Sequence, residues 1–458
     1  MMNKIKEKNY NIHAPFPPYY TDEKVPLRKL LKAKSFIEFY KERHYKMKMG
    51  YPKKKVGKKE ISLCVNEYVL DVLSDYERYP KSKNLHKLLS PLLGNSIFTT
   101  NGDIWRFQRN IMNKSFAALQ PKKTFSLMAE ATLALIELID NKSKDSNIIA
   151  IDSMNTYVTA NIIFRTIFSI DYSYDNAIKL FNDFNLYQET SYLLNSPYKY
   201  ISYPYLKYKQ REYVRKIHNQ FYPEIAKRYH TDDSSQHNDI LGNLILKTDE
   251  KTGKKFSQKD LNEQICMLFL AGHETSATAL TWALYLISQS EELQEDLYQE
   301  VQDSLENGEI VYSSLKSMPL MTAVFEETLR LYPPVVGLLR QSCENVVMYN
   351  KNLVKPRDEI IIPLWIQHRH TDKWYNPMEF NPYRFYNKKA SNVCPVYMPF
   401  GKGDRVCIGS AFALQESLLI LSTIINKYRL ENLTKDVMPI GRVTLKPSEP
   451  INVRFTNR

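Results

Sequence analysis

Along the 458 residues, apolar side chains recur every three or four positions over Ala131–Asp140, Met154–Phe168, Leu261–Ser288, Glu291–Leu305 and Ser410–Lys427. That period marks helices with one buried face. Short runs at Glu60–Val65, Val346–Tyr349 and Glu359–Pro363 have strand character instead. Residues 11–26 carry four prolines and predict an extended lead-in. Thr231–Ser235 reads as a polar loop, the tyrosine-rich Tyr198–Tyr208 as an irregular, mobile lid, and Asn376–Pro399 as coil rich in Pro and Asn. There is no internal repeat and no low-complexity tract. The pattern predicts a mainly α protein with a small β-rich portion, drawn from about residues 15–75 and 335–395, within one domain spanning 1–458.

The apolar stretch from Ile265 to Ile287 is long enough to span a bilayer. Its centre, His273-Glu274-Thr275-Ser276, is expensive in lipid, so a buried helix with a functional interruption is the better reading. The first residues, MMNKIKEKNY, contain no apolar core of a signal peptide or anchor, and a soluble, cytoplasmic protein without a transmembrane anchor is expected. Five widely spread cysteines, none in a C-x-x-C pair, argue against a disulfide framework or a zinc ribbon. The balance of 63 Lys and Arg over 50 Asp and Glu gives +13, which admits an anionic partner. The basic residues form no single stripe and no nucleic-acid motif occurs, so no nucleic-acid partner is expected.

Only 13 glycines occur, and three of them (Gly401, Gly403, Gly409) lie in Phe400-Gly401-Lys402-Gly403-Asp404-Arg405-Val406-Cys407-Ile408-Gly409. Glycines let backbone approach a ligand closely. The apolar run that follows, Ala411-Phe412-Ala413-Leu414, puts Cys407 near the positive end of a helix, and Arg405 adds a cation; both favour a thiolate. The string is no Walker A loop, fails the dinucleotide spacing G-x-G-x-x-G, and lacks a cysteine-protease signature.

The decapeptide fits F-x-x-G-x-R-x-C-x-G and resembles the haem-binding loop of the cytochrome P450 family, whose haem iron is held by a Cys thiolate. The resemblance implies the cytochrome P450 fold, haem b with Cys407 as axial iron ligand, Phe400 beside the sulfur, and amides near Gly401 and Gly409 donating to it. Glu327-Thr328-Leu329-Arg330 places acid and base on one helical face and resembles the family's E-x-x-R pair. Phe380-Asn381-Pro382-Tyr383-Arg384-Phe385 is similar to the F-x-P-x-R-F segment that completes a buried ion network, with Tyr383 where Glu is usual. Trp105 and Arg109, at i and i+4, then become donors to a haem propionate, joined by Arg340 and Arg405.

Ala271-Gly272-His273-Glu274-Thr275 interrupts the long helix, with a capping box, Ser257-x-x-Asp260, at its start. Gly272 is hard to justify by packing and reads as a groove for a small ligand. The segment resembles the family's A/G-G-x-D/E-T motif, in which Thr275 would hydrogen-bond dioxygen. Glu274, about 100° round the helix, would pass protons through water; His273 is a packing position.

The resemblance covers nearly the whole chain. It implies a haem-thiolate monooxygenase that inserts one atom of dioxygen into an apolar small molecule, the pocket drawing on Ile97, Phe98, Ala271, Thr275, Val335 and Val336. Without a fused reductase, the chain is similar to soluble bacterial members served by a separate ferredoxin or flavodoxin and its NAD(P)H-dependent reductase. Lys402, Arg405, Arg106 and Lys114 would steer that acidic partner, and a monomer is expected. The alternatives are a peroxide-driven peroxygenase or isomerase on the same fold and a non-enzymatic basic binding protein.

Overall fold

The computed structural model describes residues 8–10, 12, 53–56, 59–63, 68–143, 146–194, 199–230, 239–348, 352–435, 437–441 and 443–458. Among them the longer helices, in chain order, are α1 (Tyr68–Ser74), α2 (Lys83–Leu93), α3 (Gly102–Ala117), α4 (Pro121–Ser143), α5 (Ile151–Phe168), α6 (Tyr174–Leu194), α7 (Lys199–His218), α8 (Tyr222–His230), α9 (Ile240–Leu246), α10 (Gln258–Ile287), α11 (Glu291–Ser304), α12 (Pro319–Leu331) and α13 (Ser410–Lys427). The strands are β1 (Lys53–Val56), β2 (Lys59–Leu63), β3 (Ile148–Ala150), β4 (Leu338–Gln341), β5 (Val346–Met348), β6 (Asn352–Val354), β7 (Glu359–Ile362), β8 (Tyr428–Asn432), β9 (Pro439–Gly441), β10 (Leu445–Pro447) and β11 (Asn452–Asn457).

The main sheet has the order β1-β2-β7-β4, with β2 and β7 parallel (Ile61 opposite Glu359) and the outer pairs antiparallel. A second sheet, β3-β11-β8, ties the chain's end to the start of α5, and β9 and β10 form a hairpin. Helices supply most of the framework, with α10 running through the largest core. Its start is fixed by the capping box: Ser257 Oγ accepts from Asp260 N at 3.2 Å, and Asp260 Oδ2 accepts from Ser257 N at 3.0 Å. Its apolar sides pack on α5, where Asn155 Nδ2 donates to Thr281 Oγ1 at 3.1 Å. Further along, the fully buried Trp282 stacks on Tyr332 at 4.2 Å and donates Nε1–H to the Leu445 carbonyl at 2.8 Å, which seats the β9–β10 hairpin against α10. No helix of the described residues is long and apolar enough to cross a membrane.

Two expectations fail. Strands β3 and β8–β11 lie outside residues 15–75 and 335–395, because β11 near the end of the chain pairs with β8 and with the segment before α5. From Lys199 onward the tyrosine-rich stretch is helix, the start of α7, despite Pro204 inside it. Tyr203, Tyr205 and Tyr208 are exposed, whereas the contacts that hold α7 come later: Gln210 Nε2 donates to Ser191 Oγ at 2.9 Å, and Ile217 is buried. The start of α7 is exposed around its circumference, residues 203–205 all facing solvent, and one missing hydrogen bond near its start is tolerated. Most of 11–26, all of 231–235, and Val65, Tyr198 and Tyr349 lie outside the described residues.

Candidate active site

Between Leu261 and Ile287, every residue of α10 is buried except Leu270, Ala271, Gly272 and Thr275. A helix otherwise sealed in the core is therefore open at its middle. Thr275 Oγ1 donates to the Ala271 carbonyl at 2.6 Å, so the hydroxyl proton is engaged and its lone pairs remain able to accept. Gly272 has a packing reason after all, which corrects the sequence reading: a Cβ there would meet Ile163 Cδ1 of α5 at 2.8 Å. From the same helix Thr159 Oγ1 donates to the His273 carbonyl at 3.1 Å. His273 is buried, stacks on Phe269 at 4.4 Å, and desolvation brings its pKa down to about 4, so it is a neutral packing residue.

Glu274 is 2% exposed and turned toward α6 and the hairpin. Its Oε1 accepts from Gln188 Nε2 at 2.9 Å, from Thr444 Oγ1 at 3.0 Å and from Lys446 Nζ at 2.9 Å. Burial alone pushes the carboxyl up, but the Lys446 ammonium and these bonds more than offset it and hold the pKa below the ordinary value. Beyond the accessible stretch, Ser276 meets Glu416 of α13, the helix that follows the cysteine loop.

The loop turns tightly. Gly401 and Gly403 both have φ of +74°, and a Cβ on Gly403 would strike the Leu73 carbonyl of α1 at 2.1 Å. The Cys407 amide donates to the Phe400 carbonyl at 2.9 Å, which closes the loop, and Gly409 caps α13. Cys407 is exposed, yet protein crowds it on most sides. That crowding pushes its thiol above the ordinary value, against the Gly409 N–H and Arg109, which draw it down. The expected bias to thiolate is thus outweighed by burial, and the nearby cation is Arg109 rather than Arg405. Metal coordination deprotonates such a thiol outright.

Arg405 turns inward instead. Its guanidinium lies 4.2 Å from the Trp105 ring and donates to Asn101 Oδ1 at 2.8 Å and the Thr100 carbonyl at 3.2 Å, while Nε is buried without a partner. Arg109 donates to the Val406 carbonyl at 2.9 Å, Arg340 to the Leu339 carbonyl at 3.1 Å, and Lys81 to the Phe98 carbonyl at 2.6 Å. Among the described residues no carboxylate accepts from any of these four side chains. Burial lowers Arg340 to about 10 and, with repulsion from Arg340 and Arg109, Arg405 to about 9. Burial and the three arginines bring Lys81 well below its usual value. This is a cationic cluster with no carboxylate bonded to it among the described residues; Asp404 acts on Arg109 only through longer-range attraction.

These features fit a haem. The cluster suits two propionates, Cys407 offers a soft axial donor, and Phe400, Ile408 and Phe412, in and just after its loop, are half-buried apolar side chains. Lys81 has no sequence signal, because nothing local ties it to the arginines. Lys446 was equally invisible.

Elsewhere, Glu327 and Arg330 are fully buried. Glu327 Oε2 accepts from Arg330 Nε at 2.7 Å, and Oε1 accepts from Arg330 Nη2 at 2.9 Å, Arg384 Nε at 3.2 Å and the Asn381 amide at 2.8 Å. Arg330 also donates to the carbonyls of His368, Pro377 and Glu379 at 2.9, 2.7 and 2.9 Å. Tyr383 faces Tyr10, their hydroxyls 3.1 Å apart. Of the surface cations, Arg106 is paired with Glu77 at 2.7 Å and Lys114 with Glu250 at 2.7 Å, while Lys402 is exposed.

Comparison with known proteins agrees with this geometry. The fold matches the haem domain of cytochrome P450DA with a TM-score of 0.85 at 21% identity, covering 98% of each chain. Among characterised relatives, Cytochrome P450 9e2 of Blattella germanica is 27% identical over 83% of this chain and 77% of its own. Cyclooctatin synthase of Streptomyces melanosporofaciens is 25% identical over 82% of each chain. With the family model described as "Cytochrome P450" matching residues 34–455, the chain belongs to the cytochrome P450 family of haem-thiolate monooxygenases, which act on dioxygen with electrons from a redox partner.

Proposed function

We propose that the chain is a single-domain, monomeric monooxygenase that inserts one atom of dioxygen into an apolar small molecule, with Cys407 as the axial ligand of its haem. The observation that carries the reading is a cationic cluster, to which no carboxylate among the described residues is bonded, gathered beside an accessible cysteine. Arg109, Arg340, Arg405 and Lys81 would hold the propionates, with Trp105 stacked on Arg405. When bound, the haem supplies the oxidising chemistry.

The chain's own residues bind, orient and protonate. Ala271 and Thr275 would face the bound substrate from the accessible stretch of α10. The Thr275 hydroxyl, its proton on the Ala271 carbonyl, would keep its lone pairs free to accept a hydrogen bond. Glu274 is the proton source, reached through water rather than by contact with Thr275. Gln264 Oε1 accepts from the Ile97 amide at 3.1 Å and so fixes the segment carrying Ile97 and Phe98 at the pocket. Val335 and Val336 complete an apolar lining that excludes water. Electrons come from a separate ferredoxin or flavodoxin. Lys402 is the surface cation best placed to meet it, since Arg405 turns inward and Arg106 and Lys114 already hold carboxylates.

Turnover under labelled dioxygen tests this. Product from an apolar substrate should carry one labelled oxygen and form only with NAD(P)H and a reduced partner protein. Label drawn from water, or equal turnover with hydrogen peroxide alone, would contradict the reading.

A further inference from the structure

The ion pair on Glu274 joins three segments that are far apart in the sequence. The carboxylate belongs to the open middle of α10, its counter-charge Lys446 to the β9–β10 hairpin, and its amide partner Gln188 to α6. Lys446 is anchored again on α6, where Nζ donates to Asn185 Oδ1 at 2.7 Å and lies 4.6 Å from the Phe181 ring centroid. Thr444, two residues back on the hairpin side, adds the third bond to the same Oε1. All three donors converge on one oxygen, on the side of α6 and the hairpin. The other titratable groups nearby are His273, neutral by burial, Asp152 at the start of α5, which Lys446 also attracts, and Glu416 of α13 at Ser276. Lys446 is therefore the only cation facing Glu274 among the described residues, and its side chain is 19% exposed, so it sits where the buried pair meets solvent.

We propose that Lys446 is the positioning residue of the proton-delivering acid: it keeps Glu274 charged and latched to α6 and the hairpin, and proton delivery requires the carboxylate to let go of it. Because α6 and the hairpin both hold the latch, movement of either segment alters how readily Glu274 is protonated. A buried carboxylate that loses an opposite charge within about 4–6 Å rises in pKa by about 1–3 units, which makes the latch measurable. The proposal rests on the reading of Glu274 as proton source.

The test uses the holoenzyme and four variants: Lys446→Met, Lys446→Arg, Glu274→Gln and the double variant Lys446→Met/Glu274→Gln. Infrared difference spectra titrate the Glu274 carboxyl directly, and product formed per NAD(P)H is followed against pH. In Lys446→Met a protonated carboxyl should persist at least about one pH unit higher than in wild type, and the coupling profile should move the same way. Lys446→Arg should restore both, and the double variant should show no such carboxyl band. A hairpin staple with no influence on the acid would lower thermal stability in Lys446→Met yet leave spectrum and profile where they were; that result overturns the proposal. If Glu274→Gln leaves coupling unchanged, the reading of Glu274 as proton source falls. The infrared titration then still upholds or overturns Lys446 as the group that fixes its charge.

Discussion

Replacing Glu327 by Gln removes the carboxylate that forms ion pairs with both Arg330 and Arg384. Arg330 is fully buried and Arg384 nearly so, at 11% side-chain exposure. Both Glu327 oxygens are in use: Oε1 accepts three bonds and Oε2 one. The amide keeps one acceptor but turns an NH2 group toward a guanidinium donor, so Arg330 is left charged, buried and uncompensated. Breaking a buried pair in this way costs about 3–5 kcal/mol. Arg330→Leu strips donors from the carbonyls of His368, Pro377 and Glu379 as well, each worth about 1–3 kcal/mol when left unpaired. It should therefore be the more damaging change, although contributions within one network do not add. Against a typical total of about 5–15 kcal/mol, either loss is large. The control is Glu250→Gln, which breaks the exposed pair with Lys114 and should cost about 0–1 kcal/mol. Urea unfolding at pH 7, followed by circular dichroism, gives both values. A Glu327→Gln variant within about 1 kcal/mol of wild type, or no more damaged than the control, would refute the argument.

Two further outcomes follow from the charge environments. Burial raises Glu416 from its ordinary 4.5 to about 8, against a smaller pull from Ser276. A carboxyl raised in the folded state stabilises fully below its unfolded value and loses that contribution as pH rises toward 8. Wild type should thus lose stability between about pH 4.5 and 8, and Glu416→Gln should lose less; equal slopes in denaturation series across that window would contradict the reading. If Lys81 belongs to the proposed propionate cradle, Lys81→Met should release haem faster to a scavenging apoglobin, while relieving repulsion from the three arginines in the haem-free protein. Unchanged release kinetics would remove Lys81 from the cradle.

Local spacing made part of the site legible. The cysteine loop, the i, i+3 pair of Glu327 and Arg330 and the Ser257–Asp260 capping box each lie within one short segment, where residue type and separation fix the geometry. What could not be read depends on partners far along the chain. Gly272 looked like a ligand groove because Ile163, which needs the space, sits on another helix. Lys446 and Lys81 belong to unremarkable strings and acquire meaning only when the hairpin reaches Glu274 and the turn before α2 reaches Arg405. Arg405 was legible as a cation but not in direction, since the Trp105 ring that draws it inward is on α3. The helix at the start of α7 is not legible because Tyr203, Tyr205 and Tyr208 are exposed there and give no core-facing period.

Whether Cys407 holds the haem iron is read from the reduced, CO-bound difference spectrum of the purified protein. A thiolate-type Soret band is expected in wild type and should be lost in Cys407→Ser. A band typical of a neutral ligand in wild type, or an unchanged thiolate band in Cys407→Ser, would contradict it.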